Sequence, residues 1–549
     1  MNQGLLGQAV DLHGQGRLAE AERLYKQLLA ANPNLMDARH MLGVLKAQQG
    51  QNNEAHDLIA PVVAANPQDV LALTNFGNVL RALLRHEAAL QIFDRALALV
   101  PGHPDAWCNR ANVLQDMGRP EEALANYDHA LSLKPNFLLA LNNRGNALLK
   151  LGRYEAALDS YENALALDAG FVQAHLYRGD TLQHLCRYDE ALAGYERALA
   201  LVPDQPDVWC NRGVALQQLG RLNEAKESFA RAAELAPDMP EVRLNQGLLY
   251  LLQQEFAKGW PLFEARKEMP DLGEARSFAQ PLWTGAEDID GKTLFVYIRR
   301  GLGDAIQFYR YAALAQARGA RVILSVNDSL LSLLQSATPP MPMAGHEHVP
   351  EFFDYHIPLM SMPLALGVDT PKMGRYLAAE PARVAQWRER IGTGGYRVAI
   401  SWQGDAVTMG AEGKSFPVSA LARIAAVPGI RLINLQKNAG VEQLKKLPPG
   451  MAVENFPGFD DGPGAFLDSA AIMENCDLVI SCDTALAHLA GALGIPNWLA
   501  LKHVPEWRWF LGRSDTPWYA NTRLFRQPAP GDWDEVFRTM EAELILLRG

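Results

Sequence analysis

Apolar positions in the first half of the chain fall into blocks with helical spacing, paired around short polar turns such as LGRYEAA and LGRLNEA. The pairs repeat with a period of 34 residues that holds without slippage over seven units. Prolines stand on this period at Pro33, Pro67, Pro101, Pro135, Pro203 and Pro237, with Ala169 in the remaining slot. Small residues return at Gly43, Gly77, Ala111, Gly145, Gly179, Gly213 and Gly247, and alanines at Ala21, Ala55, Ala89, Ala123, Ala157, Ala191 and Ala225. Each unit therefore predicts two amphipathic helices in close approach at the small residue, the second closed by a proline that cannot continue it. After Gly291 the pattern changes. Short apolar runs at LFVYIR from Leu294, VILSV from Val322, VAISWQG from Val398, IRLINLQ from Ile430 and DLVIS from Asp477 alternate with helical stretches. That alternation predicts parallel α/β units in two doubly wound lobes, divided near Tyr376 to Tyr396.

The repeated unit resembles the tetratricopeptide repeat over about residues 2 to 239, with an incomplete eighth unit from Glu241 to about Arg266. Stacked units of this kind form an α-solenoid, a superhelix with a concave groove. The expected organisation is a tetratricopeptide superhelix over 1–256, a docking connector over 257–291, a first α/β lobe over 292–385, and a second over 386–549 ending in a helix. The connector carries Trp260, Phe263, Phe278 and Trp283, too many aromatic residues for a free linker.

Within the repeats, Asn75, Asn109, Asn143, Asn211 and Asn245 share one position of the first helix, and Asn78, Asn112 and Asn146 sit three residues further on, on the same face. Asparagine is a poor helix former, so its return at one register calls for a role beyond propensity. Two readings stand: a ladder of amides that binds the backbone of an extended peptide, or amides that bridge neighbouring repeats. Tyr177 and Asp180 interrupt the ladder. The array resembles the superhelix of O-linked N-acetylglucosamine transferases, which implies a protein or peptide acceptor in the groove, its far end delivered to the cleft between the lobes.

Charge narrows the partners. A formal net charge of −11 on 549 residues disfavours nucleic acid and anionic membrane surfaces. Five cysteines without a CxxC pair suggest neither a disulfide framework nor a zinc site, and fit a reducing, cytoplasmic setting. No export signal or membrane span is expected from the apolar runs. A homodimer is left open.

The clearest chemical motif is DLVISCDTALAHLAGALGIP, from Asp477 to Pro496. It predicts a buried strand, Asp483 as N-cap, and a helix ending at Gly494, with the amides of Thr484 and Ala485 and the Thr484 hydroxyl offered to a phosphate. His488 lies one turn on and faces the same crevice. The other reading is a capped helix with a core histidine. The motif resembles the donor-phosphate segment of the heptosyltransferase-type glycosyltransferase family 9, whose two Rossmann-like lobes form the GT-B fold. The resemblance covers about residues 292 to 548 and carries over Asp483, Thr484 and His488, while Ala485 stands where that family commonly has glycine. Joined to the repeats, the chain looks like bacterial tetratricopeptide-fused glycosyltransferases.

The loop RRGLGD follows the first strand of the first lobe, and Gly301 and Gly303 let backbone approach a ligand there. Ile306 occupies the third glycine position of a dinucleotide fingerprint, which weakens that reading. The family resemblance implies an acceptor-side role for Asp304, and inverting transfer needs a base, so Asp304 is the candidate catalytic carboxylate; otherwise it caps its helix. Lys414 and Ser415 in GKSFP, and Gln436 and Lys437 in NLQKN, follow second-lobe strands and are candidate donor-binding groups, the alternative for the lysines being solvated surface. The loop GDAVTMGAEG is poorer in basic residues than in related fused enzymes. The one DxD triplet, Asp288 to Asp290, precedes the first strand and reads as a turn, so no metal or other cofactor is expected beside a nucleotide-sugar co-substrate. Trp507, Trp509, Trp518 and Tyr519 suit stacking on a base or sugar, or packing in the core. The leading expectation is a metal-independent inverting nucleotide-sugar glycosyltransferase acting on protein. The alternatives are a scaffold with a degenerate transferase half and a lipopolysaccharide-type transferase.

Overall fold

The computed structural model describes residues 2–269, 272, 276–371, 374–404 and 413–548. Sixteen consecutive helices, α1 (Asn2–Gly14) to α16 (Phe256–Phe263), form helical hairpins, followed by two parallel sheets. The chain divides into two compact units, Met1–Pro203 and Asp204–Gly549.

In the first unit the periodic residues have clear physical tasks. The residue before each proline leaves the helical region, as at Asn32 (φ −145°, ψ 93°) and Val100 (φ −134°, ψ 84°), which is the conformation a following proline imposes. A side chain added at Gly77 would meet the Phe93 ring at 2.6 Å, and one at Gly145 would meet the Tyr161 ring at 2.4 Å. The small residue therefore lets an aromatic ring sixteen positions later lie flat on its backbone, and those rings are fully buried.

The second unit opens with the last two hairpins of the repeat pattern and carries both lobes. Strands β1 (Thr293–Tyr297), β2 (Arg321–Val326), β3 (Met343–Gly345) and β4 (Tyr355–Pro358) form a parallel sheet in the order β3-β2-β1-β4. The second sheet, in the order β10-β9-β8-β5-β6-β7, is also parallel: β5 (Tyr396–Ser401), β6 (Ile430–Asn434), β7 (Val453–Glu454), β8 (Leu478–Cys482), β9 (Asn497–Leu501) and β10 (Thr522–Arg526). Every residue of β1, β8 and β9 is buried, as expected of strands covered on both faces.

Two helices set the junction between the lobes. Helix α17 (Leu302–Ala317) follows β1, is buried almost all round, and packs against α23 (Ala485–Leu493), which follows β8. Arg310 on α17 donates to the Trp518 carbonyl at 2.6 Å, while the Tyr376 hydroxyl donates to the Ile306 carbonyl at 2.8 Å.

The connector docks within this unit. Trp260 packs on Trp507 with ring centroids 5.3 Å apart, Phe256 on Phe510 at 5.8 Å, and Phe278 against Phe295 and Phe353. Leu244, Trp260 and Phe263 share one core with α17 and α23. The period ends near residue 256, while the first packing unit ends at Pro203, because these aromatic residues tie the final hairpins to the lobes. Asp288 and Asp290 lie in an exposed turn before β1, closed by the Asp290 amide donating to Asp288 Oδ1 at 3.0 Å. Among the described residues no helix is long and apolar enough to cross a membrane.

Candidate functional site

The site forms where the starts of α17 and α23, the helices that follow β1 and β8, meet. Gly301 (φ 81°) turns the chain into α17, and Asp304 sits in the first turn of that helix. A side chain at Gly301 would strike Asp304 Oδ2 at 2.1 Å, so only glycine leaves room for this carboxylate. Asp304 does not cap its helix; its Oδ1 accepts a short hydrogen bond from Arg508. Gly303 faces the second lobe, where an added Cβ would lie 2.9 Å from His488 Cδ2 and 3.3 Å from Ala485 Cα. The sequence-predicted loop and the start of α23 are thus in direct contact.

On the second-lobe side, the N-cap of α23 is Thr484, with extended backbone (φ −140°, ψ 175°), and not Asp483 as expected. Asp483 is drawn away by stronger partners: its Oδ1 accepts from the Trp509 indole at 2.8 Å, and its Oδ2 lies 3.2 Å from Lys414 Nζ. The Thr484 hydroxyl oxygen is buried and has no hydrogen-bond partner among the described residues. It stands beside the first free amides of the helix, where the helix dipole favours an anion. Gly404, three residues beyond β5, packs beside it: a Cβ added there would lie 3.2 Å from the Thr484 methyl group, and the Gly404 amide donates to Ser415 Oγ at 3.3 Å. Helix α23 ends at Gly494 in the left-handed conformation (φ 72°), as the motif predicted.

The charges of the cluster interlock. Burial opposes the Lys414 ammonium, but Asp483 and Glu506 outweigh it and raise its pKa. Burial likewise opposes the Asp483 carboxylate, and the Lys414 ammonium, helped by the hydrogen bond from the Trp509 indole, outweighs it and lowers its pKa. Glu506 goes the other way: burial dominates the opposing pull of Arg508 and raises its pKa. His488 is lowered to about 3, first by burial and then by the positive field of Arg508, so it is a neutral imidazole at physiological pH. Its Nδ1 lies 3.0 Å from the Tyr519 hydroxyl, and its ring stacks on Trp509 with centroids 5.3 Å apart.

Two predicted donor-binding residues do other work. Gln436 accepts from the amides of Trp402 at 3.0 Å and Gln403 at 2.9 Å, and donates to the carbonyls of Gln403 and Ala439, each at 2.8 Å, clipping the loop after β5. Lys437 donates to the carbonyls of Phe459 at 2.9 Å and Asp460 at 2.5 Å and pairs with Asp461 at 2.8 Å, so backbone and a carboxylate absorb its charge. Trp507, Trp509, Trp518 and Tyr519 are all buried, which settles them as core. The loop of low basic content falls at 405–412, outside the described residues.

Sequence reasoning missed Arg508, Glu506 and Gln307. The one available signal was a charged Glu–Trp–Arg–Trp string inside an aromatic run, since charges amid buried rings require partners.

In the repeats, the asparagine positions divide. Asn75 Nδ2 lies 3.0 Å from His40 Nε2, Asn143 donates to Asn112 Oδ1 at 3.0 Å, and Asn245 donates to Cys210 Sγ at 3.3 Å, each contact reaching the preceding repeat. At the second position, Asn112 and Asn146 accept from the hydroxyls of Tyr127 at 2.6 Å and Tyr161 at 2.7 Å. Asp180 accepts from Tyr195 at 2.7 Å in the same way. The position needs an acceptor, which aspartate supplies as well as asparagine. Asn78 is exposed.

Family profiles described as tetratricopeptide repeat match residues 12–74, 104–137, 142–206 and 184–249. The repeats are tetratricopeptide repeats. Over 304 residues the chain is 27% identical to Protein FlbA of Caulobacter vibrioides, which covers 50% of each protein, so the chain spans about half the length of that relative. Similar solved structures include YrrB, described as a TPR protein with an unusual peptide-binding site (24% identity, 34% of this chain and 95% of that chain, TM-score 0.30). The type IV pilus biogenesis factor PilW is another (20% identity, 38% and 97%, TM-score 0.36).

Proposed function

We propose that the second half of the chain is a GT-B glycosyltransferase that moves a sugar from a nucleotide-sugar donor to a hydroxyl of a protein bound by the repeats. The observation that carries this reading is the direct contact between the Asp304 loop and the N-terminus of α23, where the buried Thr484 hydroxyl has no partner among the described residues. A diphosphate at α23 is met by helix amides, the Thr484 hydroxyl and the Lys414 charge. Asp304 takes the proton of the acceptor hydroxyl as its oxygen bonds to the anomeric carbon. The bond from that carbon to the phosphate oxygen breaks, and the nucleoside diphosphate leaves with the electron pair, so configuration inverts. Charge neutralisation by Lys414 and helix amides makes the reaction independent of a metal. Tetratricopeptide arrays generally bind peptides, which supports a polypeptide acceptor.

Thr484→Val tests this. It keeps the shape of the side chain and removes only the hydroxyl. Melting temperature should stay within about 2 °C of wild type, because no hydrogen bond to a described residue is lost. Affinity for the best of a panel of UDP-, GDP- and ADP-sugars, measured by calorimetry, should fall about tenfold, the loss of one hydrogen bond to a charged group. Unchanged affinity removes α23 from the donor site, and a panel without any binding or hydrolysis points to a scaffold.

A further inference from the structure

Residues Trp507–Trp509 form one short turn after β9 that faces three ways. The Trp507 ring packs on Trp260 and Phe263 of the last repeat helix, at 5.3 and 6.1 Å between centroids. The Trp509 indole donates to Asp483 and stacks on His488, on the donor side. Between them, the Arg508 guanidinium divides its donors among Gln307 Oε1 at 2.6 Å, Glu506 and Asp304. The turn is itself fixed, since the Trp518 indole donates to the Arg508 carbonyl at 2.7 Å. Arg508 is only 8% exposed, so its geometry is set by these partners and not by water.

A planar fork that serves three acceptors in fixed directions orients them, which a lysine ammonium on a flexible stem cannot do. One Asp304 oxygen is held by this fork, and the other lies over the bare backbone of Gly301. We infer that Arg508 is a positioning residue: it aims the other Asp304 oxygen at the acceptor hydroxyl and holds α17 in register with α23, without touching substrate. The inference rests on Asp304 being the base of the proposed transfer. Trp507 makes the same turn a buttress from the repeats, so the aim of the carboxylate depends on the packing of α16.

The test uses full-length protein and slow hydrolysis of UDP-, GDP- and ADP-sugars, in which Asp304 deprotonates water. Arg508→Lys keeps the charge and loses the fork. Its donor Kd should stay within about threefold of wild type while kcat falls about 10- to 100-fold, the usual cost of misplacing a catalytic group by about an ångström. Arg508→Ala should lose more, and added guanidinium at millimolar concentration should restore part of its kcat without affecting wild type. Where the arginine variants fold poorly, Gln307→Met removes the acceptor that fixes Arg508 Nε and should lower kcat in the same direction by a smaller factor. A wild-type kcat in Arg508→Lys, or a tenfold weaker Kd with kcat intact, overturns the inference; the latter would make Arg508 a phosphate ligand. Asp304→Asn in parallel separates the two ideas. If it retains turnover, the base assignment fails; if it alone loses turnover, only the positioning role fails. Absence of turnover in wild type overturns both.

Discussion

The imidazole of His488 is buried against Trp509 and Tyr519 within the field of Arg508, and its pKa falls from 6.5 to about 3. Between those values the unfolded chain binds a proton that the folded chain does not, so stability is fully present above pH 6.5 and declines as pH falls below it. The limiting slope is about 1.4 kcal/mol per pH unit. Replacing His488 with Gln removes that proton uptake. Urea titrations at pH 7 and 5 should show the wild type losing up to about 2 kcal/mol more than His488→Gln over this interval. Equal losses would mean that the imidazole is protonated in the folded chain. Asp304, Thr484 and His488 were legible in the sequence because they sit in short motifs where spacing alone implies a helix start. Arg508 was not, since its decisive partner Asp304 lies 204 residues away in the chain, and Asp483 was misread as a cap because Trp509 is likewise remote.

The same contrast between local and remote contacts holds for the elements. Period, prolines and glycines were all readable because each encodes a contact inside one hairpin, such as Gly145 beneath Tyr161. Strands β1, β2, β5, β6 and β8 were readable as apolar runs, and the parallel sheets followed from their alternation with helices, whereas β3, β4, β7, β9 and β10 were not singled out. The packing boundary at Pro203 was not, because aromatic contacts such as Trp260 on Trp507 join residues far apart in sequence. The turn within each hairpin offers a test of local economy. Gly50, Gly118, Gly152 and Gly220 take positive φ there, near 70°, whereas Leu84 (φ 58°) and Cys186 (φ 57°) adopt it without being glycine. A side chain in that region costs about 1 kcal/mol. Leu84→Gly should therefore stabilise the first unit by about 0.5–1 kcal/mol, and it also removes a leucine that is 76% exposed. Thermal melting checks this: a rise of one to a few degrees is expected, and a fall would show that the turn is relaxed as it stands.

For the whole molecule, the question is what the repeated amides serve. Asn143 and Asn245 each spend a donor on the preceding repeat, and Asn112 and Asn146 each accept from a buried tyrosine. Such amides are partly structural, and their loss should be visible in stability before any acceptor is added. Asn143→Ala and Asn245→Ala should each cost about 0.5–1.5 kcal/mol, one net hydrogen bond apiece. Asn78, exposed on the same helical register, provides the contrast. Asn78→Ala should leave melting unchanged within about 1 °C, because an exposed side chain away from caps and core contributes little. If the proposed peptide acceptor lies along this register, Asn78→Ala should nonetheless raise the acceptor KM severalfold with kcat preserved, since it removes binding that is equal in ground and transition states. Donor hydrolysis without acceptor should not change in any of the three variants. Should Asn78→Ala match wild type in acceptor KM while Asn143→Ala and Asn245→Ala lower both melting temperature and transfer, the amides would act only by stiffening the array, and the acceptor would be held by other groups of the repeats.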